Sequence, residues 1–220
     1  LRKLATAKRI RELGLQYSRG WDESRAKKSG YFDTQWAVPE SWDDVILQGP
    51  HFGVANPFAK QPNPTLKHNQ DWSEIDLEAM PSDFIPATAY QPNRDNPTLN
   101  YDDSYPTAHF EGNKVSQRAF FRIAWRMMGA YTGFRTLYPT IITPGSAHVN
   151  AVESGGYPEI QKLSTLTTAM SSMSSILVDF LVRSRGGGNL FASTIQSLPY
   201  SPESLIVSRA NSRTLELVCL

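Results

Sequence analysis

The sequence predicts a fold of mixed helices and strands joined by ordered loops, and three observations support this prediction. Residues 163–182 repeat apolar side chains at helical spacing, with serine and threonine on the opposite side. Residues 135–142 are rich in β-branched and aromatic side chains, which favours a strand, and Pro139 indicates that this strand lies at an edge or contains a bulge. The 220 residues also include 15 prolines and 14 glycines, which imply many turns.

Near the amino terminus, apolar side chains at helical spacing alternate with lysines and arginines. The pattern predicts a helix that ends at Gly14. Its apolar side consists of Leu1, Leu4, Ile10 and Leu13. The polar and basic residues 18–30 that follow are typical of a loop.

The middle of the chain favours loops with a few short elements. Residues 42–47 could form a short strand or a helical turn, and residues 59–112 are dense in proline, asparagine and aspartate. Within them, residues 71–78 carry acids in a capped first turn, which predicts a short helix. Asp102 and Asp103 could ligate a metal, but no third ligand has a suitable spacing, which favours solvated turn residues.

The helix at 163–182 is expected to pack through one continuous apolar stripe. That stripe consists of Leu163, Leu166, Met170, Met173, Leu177 and Leu181. The following Gly186-Gly187-Gly188 is expected to mark the exit of the helix, because no helix obviously follows it to form a phosphate-binding turn.

The net charge of +1 conceals regions of different sign. Residues 1–30 carry nine Lys/Arg and three Asp/Glu, residues 31–112 carry three and thirteen, and residues 113–220 carry ten and five. A polyanion would be attracted to the two ends and repelled by the middle. This distribution counts against a nucleic-acid surface along the whole chain, but it allows a local basic surface.

Such a surface is suggested by residues 116–148, where four arginines stand among aromatic side chains. Arg118, Arg122 and Arg126 recur at every fourth residue, so they share one face whether the segment is helical or extended. Together with Arg135 they could bind phosphates and base edges through the guanidinium fork. The alternative is an amphipathic core element whose arginines reach outward to solvent.

The sequence does not predict a catalytic site of its own. Asn56-Pro57-Phe58 resembles the Asn-Pro-Pro-aromatic loop of amino-methyltransferases, but one proline is missing and no glycine-rich cofactor loop follows a hydrophobic strand upstream. The four histidines and the single cysteine, Cys219, form no recognisable hydrolytic constellation. We therefore expect no catalytic, cofactor-binding or metal-binding residues in this chain.

Several short motifs, in their order along the chain, resemble one family. They are Gly49-Pro50-His51-Phe52, Asp71-Trp72-Ser73, Phe121-Arg122-Ile123-Ala124-Trp125-Arg126, Arg135-Thr136-Leu137, Ile141-Ile142-Thr143-Pro144-Gly145 with His148, and a tail that runs from the serine-rich helix through Asp179 and Leu198-Pro199 to Leu220. These motifs resemble the target-recognition region of large bacterial adenine-specific DNA methyltransferases, the single-chain restriction–modification and related phage-defence enzymes. The tail is also distantly similar to specificity subunits of type I restriction systems. Phe134 and Tyr138 depart from the family's pattern.

The resemblance implies an α+β fold, in which a curved, mostly antiparallel sheet with packed helices docks in the DNA major groove. It implies that residues 1–30 are a basic helical connector from a preceding catalytic methyltransferase domain of the same parent chain. Residues 31–220 would form the DNA target-recognition domain. S-adenosylmethionine and methyl transfer would belong to the preceding domain.

Double-stranded DNA is therefore the expected partner, and the candidate contacts fall into two groups. The foremost are Arg122, Arg126 and Arg135, and the weaker ones are Arg118, Lys114 and His148. An arginine that reads guanine would contribute about 1–3 kcal/mol of discrimination, whereas one on phosphate would add affinity without sequence choice.

A protein–protein interaction module that docks to a partner subunit is the alternative function. The acidic, proline-rich middle could bind a basic partner, and the serine-rich helix could dock a neighbouring domain. The sequence shows no apolar run near the length of a membrane span and no signal peptide, so we expect a cytoplasmic protein without a membrane partner.

Overall fold

The computed structural model describes residues 7–95, 99–200 and 204–218. Their strands are β1 Lys8–Arg9, β2 Gln16–Ser18, β3 Phe32–Ala37, β4 Ile46–Leu47, β5 Lys60–Pro62, β6 Trp72–Glu74, β7 Thr88–Pro92, β8 Thr107–Phe110, β9 Asn113–Ser116, β10 Arg122–Arg126, β11 Pro139–Ile142, β12 Ala147–His148, β13 Val152–Gly156 and β14 Pro199–Tyr200. Their α-helices are α1 Glu23–Lys28, α2 Leu163–Ser174, α3 Ile176–Arg185, α4 Ala192–Gln196 and α5 Ser204–Val218. Short 3-10 helices occupy Ile10–Leu13, Trp42–Asp44, Gly49–His51, Gln117–Ala119 and Ile160–Lys162.

These elements confirm the α+β class, although the strands are distributed over several small sheets rather than one. The largest sheet in the described part of the chain has four strands in the order β11-β10-β13-β2, each antiparallel to its neighbour. The remaining sheets are two-stranded, and only the β12–β4 pair is parallel among the described pairs.

Strand β10 lies inside the four-stranded sheet and sends alternate side chains to its two faces. Ile123 and Trp125 belong to the larger apolar core, in which Met170 of α2 and Val178 of α3 are also buried. The Trp125 indole Nε1 donates to the Leu190 carbonyl at 2.7 Å, so this large ring is both packed and hydrogen-bonded. The helices therefore cover this face of the sheet.

The opposite face of the sheet is covered by the segment that contains β4. Ala124, Ile142 and Val152 from the sheet form an apolar cluster with Val45 and Leu47. Arg122 and Arg126 alternate with Ile123 and Trp125, so they share this face, as their even spacing predicts for a strand. The face is an interior layer of the protein rather than an open surface.

The predicted helix at 163–182 is interrupted at Ser175. This residue has extended backbone angles (φ −70°, ψ 143°), and its hydroxyl accepts a hydrogen bond from the Val178 amide as the N-cap of α3. The predicted packing of Leu166, Met170 and Met173 is confirmed, because each is at most 1% exposed.

Leu177 was predicted in the same stripe, and that prediction is wrong because the interruption changes the face that α3 buries. Leu177 is 52% exposed, whereas Val178 and Val182 are buried. Leu163 is exposed and Leu181 is only partly buried, so the predicted stripe does not extend to its two ends. Gly186 ends α3 with a φ of 69°, as predicted for a glycine exit.

The strand predicted at 135–142 is confirmed only for Pro139–Ile142. This strand lies at the edge of the sheet, as the proline indicated. Residues 135–138 instead turn around the carboxylate of Asp179, which accepts hydrogen bonds from two consecutive backbone amides.

The helix predicted at 71–78 is absent, and Trp72–Glu74 is strand β6. Asp71 precedes it and accepts hydrogen bonds from Asn63 Nδ2 at 2.9 Å and from the Lys67 amide at 2.9 Å. The carboxylate therefore closes the preceding loop instead of capping a helix, and it brings β6 against β5.

The amino-terminal segment also differs from the predicted helix in its described part. Lys8–Arg9 pairs with β14, and Ile10–Leu13 is a single 3-10 turn. Gly14 ends this turn with a φ of 73°, as expected of a stop residue. Residues 1–6 of the predicted helix lie outside the described residues.

The segment 18–30, predicted as a loop, contains α1. Asp22 caps this helix by accepting a hydrogen bond from the Arg25 amide at 2.9 Å. Strand β2 precedes it and forms one edge of the four-stranded sheet, so this part of the chain is packed with the sheet.

Candidate nucleic-acid interface

Arg122 is completely buried, with 0% of its surface exposed. Its Nη1 donates to the Tyr105 hydroxyl at 3.2 Å, and its Nη2 donates to the Ser146 carbonyl. Burial lowers the pKa of the guanidinium, and no carboxylate among the described residues forms an ion pair with it. In this conformation Arg122 has no surface with which to touch DNA, and it instead ties β10 to the turn at Ser146.

Arg118 is 5% exposed and is likewise held inside the protein. Its Nε donates to the Gly145 carbonyl at 2.7 Å, and its Nη1 donates to Asp102 Oδ1 at 2.6 Å. Arg94 binds the other oxygen of Asp102, and both guanidinium groups lie 4.8 Å from the centre of the Tyr101 ring. Burial alone would raise the pKa of Asp102, but the hydrogen bonds from the two arginines lower it.

His148 is a core residue with 0% exposure. Its Nε2 lies 2.8 Å from the Ser154 hydroxyl. Gly20 passes so close to His148 that a Cβ at position 20 would collide with the His148 carbonyl oxygen. Burial, with the nearby charge of Arg122, lowers the pKa of His148 to about 3. The ring is therefore neutral near pH 7 and is not presented to solvent.

Arg135 connects the β10–β11 loop, residues 127–138, to the junction of two helices. Its Nη1 donates to the Ser174 carbonyl at 2.8 Å, its Nη2 donates to the Ser175 carbonyl at 3.2 Å, and its Nε lies 3.7 Å from Asp179 Oδ1. The same Asp179 oxygen accepts from the amides of Thr136 and Leu137 at 2.9 and 2.8 Å. Arg135 thus neutralises a carboxylate that shapes the loop.

Arg126 and Lys114 are the two candidates with open side chains. Arg126 is partly exposed at the end of β10, where its guanidinium lies 5.7 Å from the centre of the Tyr138 ring. No carboxylate of the described residues lies within ion-pairing distance of Arg126. Lys114 is exposed on the β8–β9 hairpin. The Gln16 side chain holds this hairpin, because it donates to the His109 carbonyl and accepts from the His109 amide. Because Gln16 pairs with the Arg122 end of the sheet, Lys114 and Arg126 lie towards opposite ends.

The β10–β11 loop begins directly after Arg126 and exposes three large apolar or aromatic side chains. Met128 is 63% exposed, Tyr131 is 40% exposed and Phe134 is 102% exposed relative to a fully open side chain. Exposed side chains of this size, grouped on one turn, are typical of a surface that binds something.

This loop is held in place by hydrogen bonds along its length. The Leu190 amide donates to the Met127 carbonyl at 2.6 Å, and the Gly129 amide donates to the Gly188 carbonyl at 3.1 Å. Further along, Arg183 Nη2 donates to the Gly133 carbonyl at 2.8 Å, while the Tyr131 hydroxyl donates to the Gly187 carbonyl. The exposed side chains therefore project from an ordered backbone.

Arginines surround the loop and outnumber the carboxylates that touch them. Arg19 is 63% exposed, contacts Met127 Sδ at 3.9 Å, stacks 5.6 Å from the Phe191 ring and pairs with Glu153 at 3.5 Å. The arginines of the group are Arg19, Arg126, Arg135 and Arg183. Among the described residues, Glu153 and Asp179 are the carboxylates paired with members of this group. The surroundings of the loop are consequently positive.

Sequence reasoning did not select Arg19, Met128, Tyr131 and Phe134 for the site. Arg19 lies in the segment expected to be a loop, and nothing in its spacing relates it to Arg126. For the three loop residues a signal was present, because Gly129 and Gly133, next to Met128 and Phe134, indicate a turn around Tyr131.

The motifs that carry the family resemblance are mainly structural. His51 is buried with its Nε2 3.0 Å from the Ala87 carbonyl, its ring meets Trp72 edge to face, and burial lowers its pKa to about 4.

The separate sequence Asn56-Pro57-Phe58 forms a turn. Its Asn56 Oδ1 accepts a hydrogen bond from the Phe58 amide at 2.9 Å. That oxygen stabilises a local turn, which does not fit a loop that holds a target amino group.

The chain was compared with protein-family models and with curated proteins. No protein-family model matches the chain, and no curated protein matches it at a significant level.

The described residues hold no group of three or more His, Cys, Asp or Glu side chains arranged to bind a metal ion. In the same part of the chain, no single helix is long and apolar enough to cross a bilayer. Ile160–Ser174 and Ile176–Arg185 reach that length and composition only together, across a bend of 62°.

Proposed function

We propose that this chain is the DNA target-recognition domain of an adenine-specific methyltransferase, and that the β10–β11 loop together with Arg126 is its DNA surface. The observation that carries the proposal is an ordered turn that exposes Met128, Tyr131 and Phe134 among arginines that outnumber their carboxylate partners. A duplex offers phosphates to the arginines, and it offers base edges and stacking surfaces to the other side chains.

Within this surface the arginines have different roles. Arg126 is partly exposed, lacks a described carboxylate partner and is oriented by the Tyr138 ring, which suits a guanidinium that reads a base edge. Arg19 is exposed, contacts Met127 at the start of the loop and suits a contact with phosphate. Arg135 supports the loop from within, because its guanidinium binds the Ser174 and Ser175 carbonyls. Arg118 and Arg122 are occupied by protein acceptors near the other end of β10 and do not belong to this surface.

The methyltransferase part of the proposal is supported by the order of the motifs between Gly49 and Leu220. A preceding domain of the same parent chain would hold S-adenosylmethionine and transfer the methyl group, while this chain positions the DNA. Membership in a restriction–modification or phage-defence enzyme, and a cytoplasmic location, belong to the same proposal.

Duplex binding by the 220-residue chain is the first test. Duplexes with a randomised centre are incubated with the protein, the bound fraction is sequenced after several rounds, and affinity for the enriched duplex is measured at several salt concentrations. We expect one enriched sequence and an affinity that falls steeply with salt, because phosphate contacts release counterions.

Three variants then locate the surface. Arg126→Ala should relax the choice at one base pair, with a loss of about 1–3 kcal/mol on the enriched duplex. Arg19→Ala should weaken all duplexes similarly and lower the salt slope by about one unit. Lys114→Ala is the matched control at the other end of the sheet, and it should leave both quantities unchanged. Folded variants of Arg126 and Arg19 that bind like the wild type would contradict this assignment of the surface.

A protein-interaction module is a second candidate, favoured by the outer side of α3. Ile176, Leu177 and Phe180 are 84%, 52% and 64% exposed, which is a large apolar area for one short helix. If this area docks a partner subunit, Phe180→Asp should abolish that association and leave duplex binding unchanged. An unchanged association would remove α3 from consideration.

A further inference from the structure

The exposed ring of Phe134 has no packing role in the described structure. Its side chain is 102% exposed, so the ring makes essentially no contact that shields it from water. Leaving such a ring in water forgoes the free energy that burial of a large apolar side chain would provide. A single exposed ring is ordinary on a protein surface, but the backbone that carries this ring is held on both sides.

The backbone on both sides of Phe134 is fixed by side chains from α3 and by Tyr138. On one side the Gly133 carbonyl accepts from Arg183 Nη2 at 2.8 Å. On the other, the Arg135 amide donates to the Tyr138 hydroxyl at 3.2 Å, and Asp179 accepts from the Thr136 amide. Gly133 is also closely packed, since a Cβ there would lie 3.0 Å from the Tyr138 hydroxyl. The backbone that carries the ring is therefore held in place while the ring itself projects into solvent.

We infer that the Phe134 ring inserts between neighbouring base pairs of a bound duplex, so that this surface prefers DNA with an unstacked or easily deformed step. This inference rests on the proposed function and specifies the kind of duplex that the surface takes. Phenylalanine is among the apolar side chains that proteins place between base pairs, and insertion requires the bases to be partly unstacked. Arginines around the loop would hold the phosphates on either side of the opened step.

The preferred ligand follows from the cost of unstacking. Separating stacked base pairs costs a few kcal/mol, and it costs least at damaged, mismatched or flexible pyrimidine–purine steps. A duplex with such a step should therefore bind more tightly than an otherwise identical regular duplex. The difference should come from the ring and not from the arginines.

The test compares two short duplexes of the same mixed sequence, one with a single central abasic site and one without. For the wild-type 220-residue chain we expect about tenfold tighter binding of the abasic duplex, and a factor of ten corresponds to about 1.4 kcal/mol. An adenine analogue that fluoresces when it is unstacked, placed beside a pyrimidine–purine step of a regular duplex, should brighten when the protein binds.

Variants separate the ring from its surroundings. Phe134→Ala should lose both the preference and the fluorescence change but keep the salt dependence of binding. Phe134→Leu should retain much of both, because leucine can also occupy an opened step. Phe180→Ala is the matched control, since it removes another exposed phenylalanine ring that lies on α3. Neither ring is buried, so these variants should fold like the wild type.

The inference fails if the wild type binds both duplexes equally, or if Phe134→Ala keeps the preference and the fluorescence change. Salt-dependent binding without a preference would overturn the inference and leave the proposed function standing. No binding of either duplex at low salt would overturn both.

Discussion

Replacing Arg122 is the most direct way to distinguish a structural arginine from a DNA contact in the central stretch. Arg122→Ala removes the charge-assisted hydrogen bonds to the Tyr105 hydroxyl and the Ser146 carbonyl. Each hydrogen bond to a charged group contributes about 1.5–3 kcal/mol, and the cavity left by the truncated side chain adds to the cost. Removing a buried cation that has no described carboxylate partner offsets part of this loss.

We therefore expect Arg122→Ala to lower the free energy of unfolding by about 3–5 kcal/mol. For a domain of this size each kcal/mol lowers the melting temperature by about 2–4 °C, so the shift should be on the order of 10 °C. Arg122→Met should cost less, about 1–3 kcal/mol, because it fills most of the space and leaves mainly the Ser146 carbonyl without a donor. Arg126→Ala, on the partly exposed residue of the same strand face, should stay within about 1 kcal/mol of the wild type.

The assay is denaturant unfolding followed by tryptophan fluorescence, with the slope of the transition compared between variants. A lower midpoint at an unchanged slope reports a loss of stability rather than a change in the unfolded state. Duplex binding is then measured at a temperature at which every variant is folded. The structural assignment is refuted if Arg122→Ala keeps the wild-type midpoint while it loses duplex affinity.

Other predictions concern acid stability, the core, the loop and the cofactor. His51 and His148 have folded pKa values of about 4 and about 3, against about 6.5 when unfolded, so they take up protons mainly on unfolding. The stability that is present above pH 6.5 should therefore be lost as the pH falls, by about 2 kcal/mol for each histidine at pH 5. Glutamine at either position should reduce that loss, as measured by denaturation midpoints. Met173→Asp should destabilise the chain by several kcal/mol, whereas Leu177→Asp should have little effect, and equal midpoints would contradict the interruption at Ser175. Asp179→Ala should cost about 3–5 kcal/mol and speed hydrogen exchange of the amides it binds, and unchanged exchange would exclude it as the anchor of the loop. Calorimetry of the chain with S-adenosylmethionine should show no binding, and micromolar affinity would contradict the expectation that the cofactor belongs to another domain.

Local periodicity predicted the parts of the fold that depend on neighbours in sequence. The even spacing of Arg122 and Arg126 correctly placed them on one strand face, and the spacing of Leu166 and Met170 correctly identified a buried helix side. The same spacing could not reveal that the segment with Val45 covers the arginine face, because that contact joins distant parts of the chain. The basic stretch consequently suggested an open surface where the structure has an interior layer.

Tertiary hydrogen bonds explain the other differences. A helix through Ser175 satisfies the apolar pattern, but the observed ends of α2 and α3 are stabilised by the N-cap of Ser175 and by Arg135, which binds carbonyls at the junction. Asp71 likewise resembles a helix cap in sequence, yet its carboxylate is used by the loop before it. In both places the deciding partner is a polar group whose position a residue pattern does not contain.

The way the β10–β11 loop is attached separates its shape from the chemistry it displays. The described hydrogen bonds that hold it include those of the backbone groups of Met127, Gly129 and Gly133, of the Thr136 and Leu137 amides, and of the side chains of Tyr131 and Arg135. Among the described hydrogen bonds, none is made by the side chains of Met128, Ala130, Thr132 and Phe134. These four side chains can therefore be replaced while the backbone of the loop stays anchored. A new binding preference could arise, or be engineered, without disturbing Arg135 and Asp179, which hold the loop.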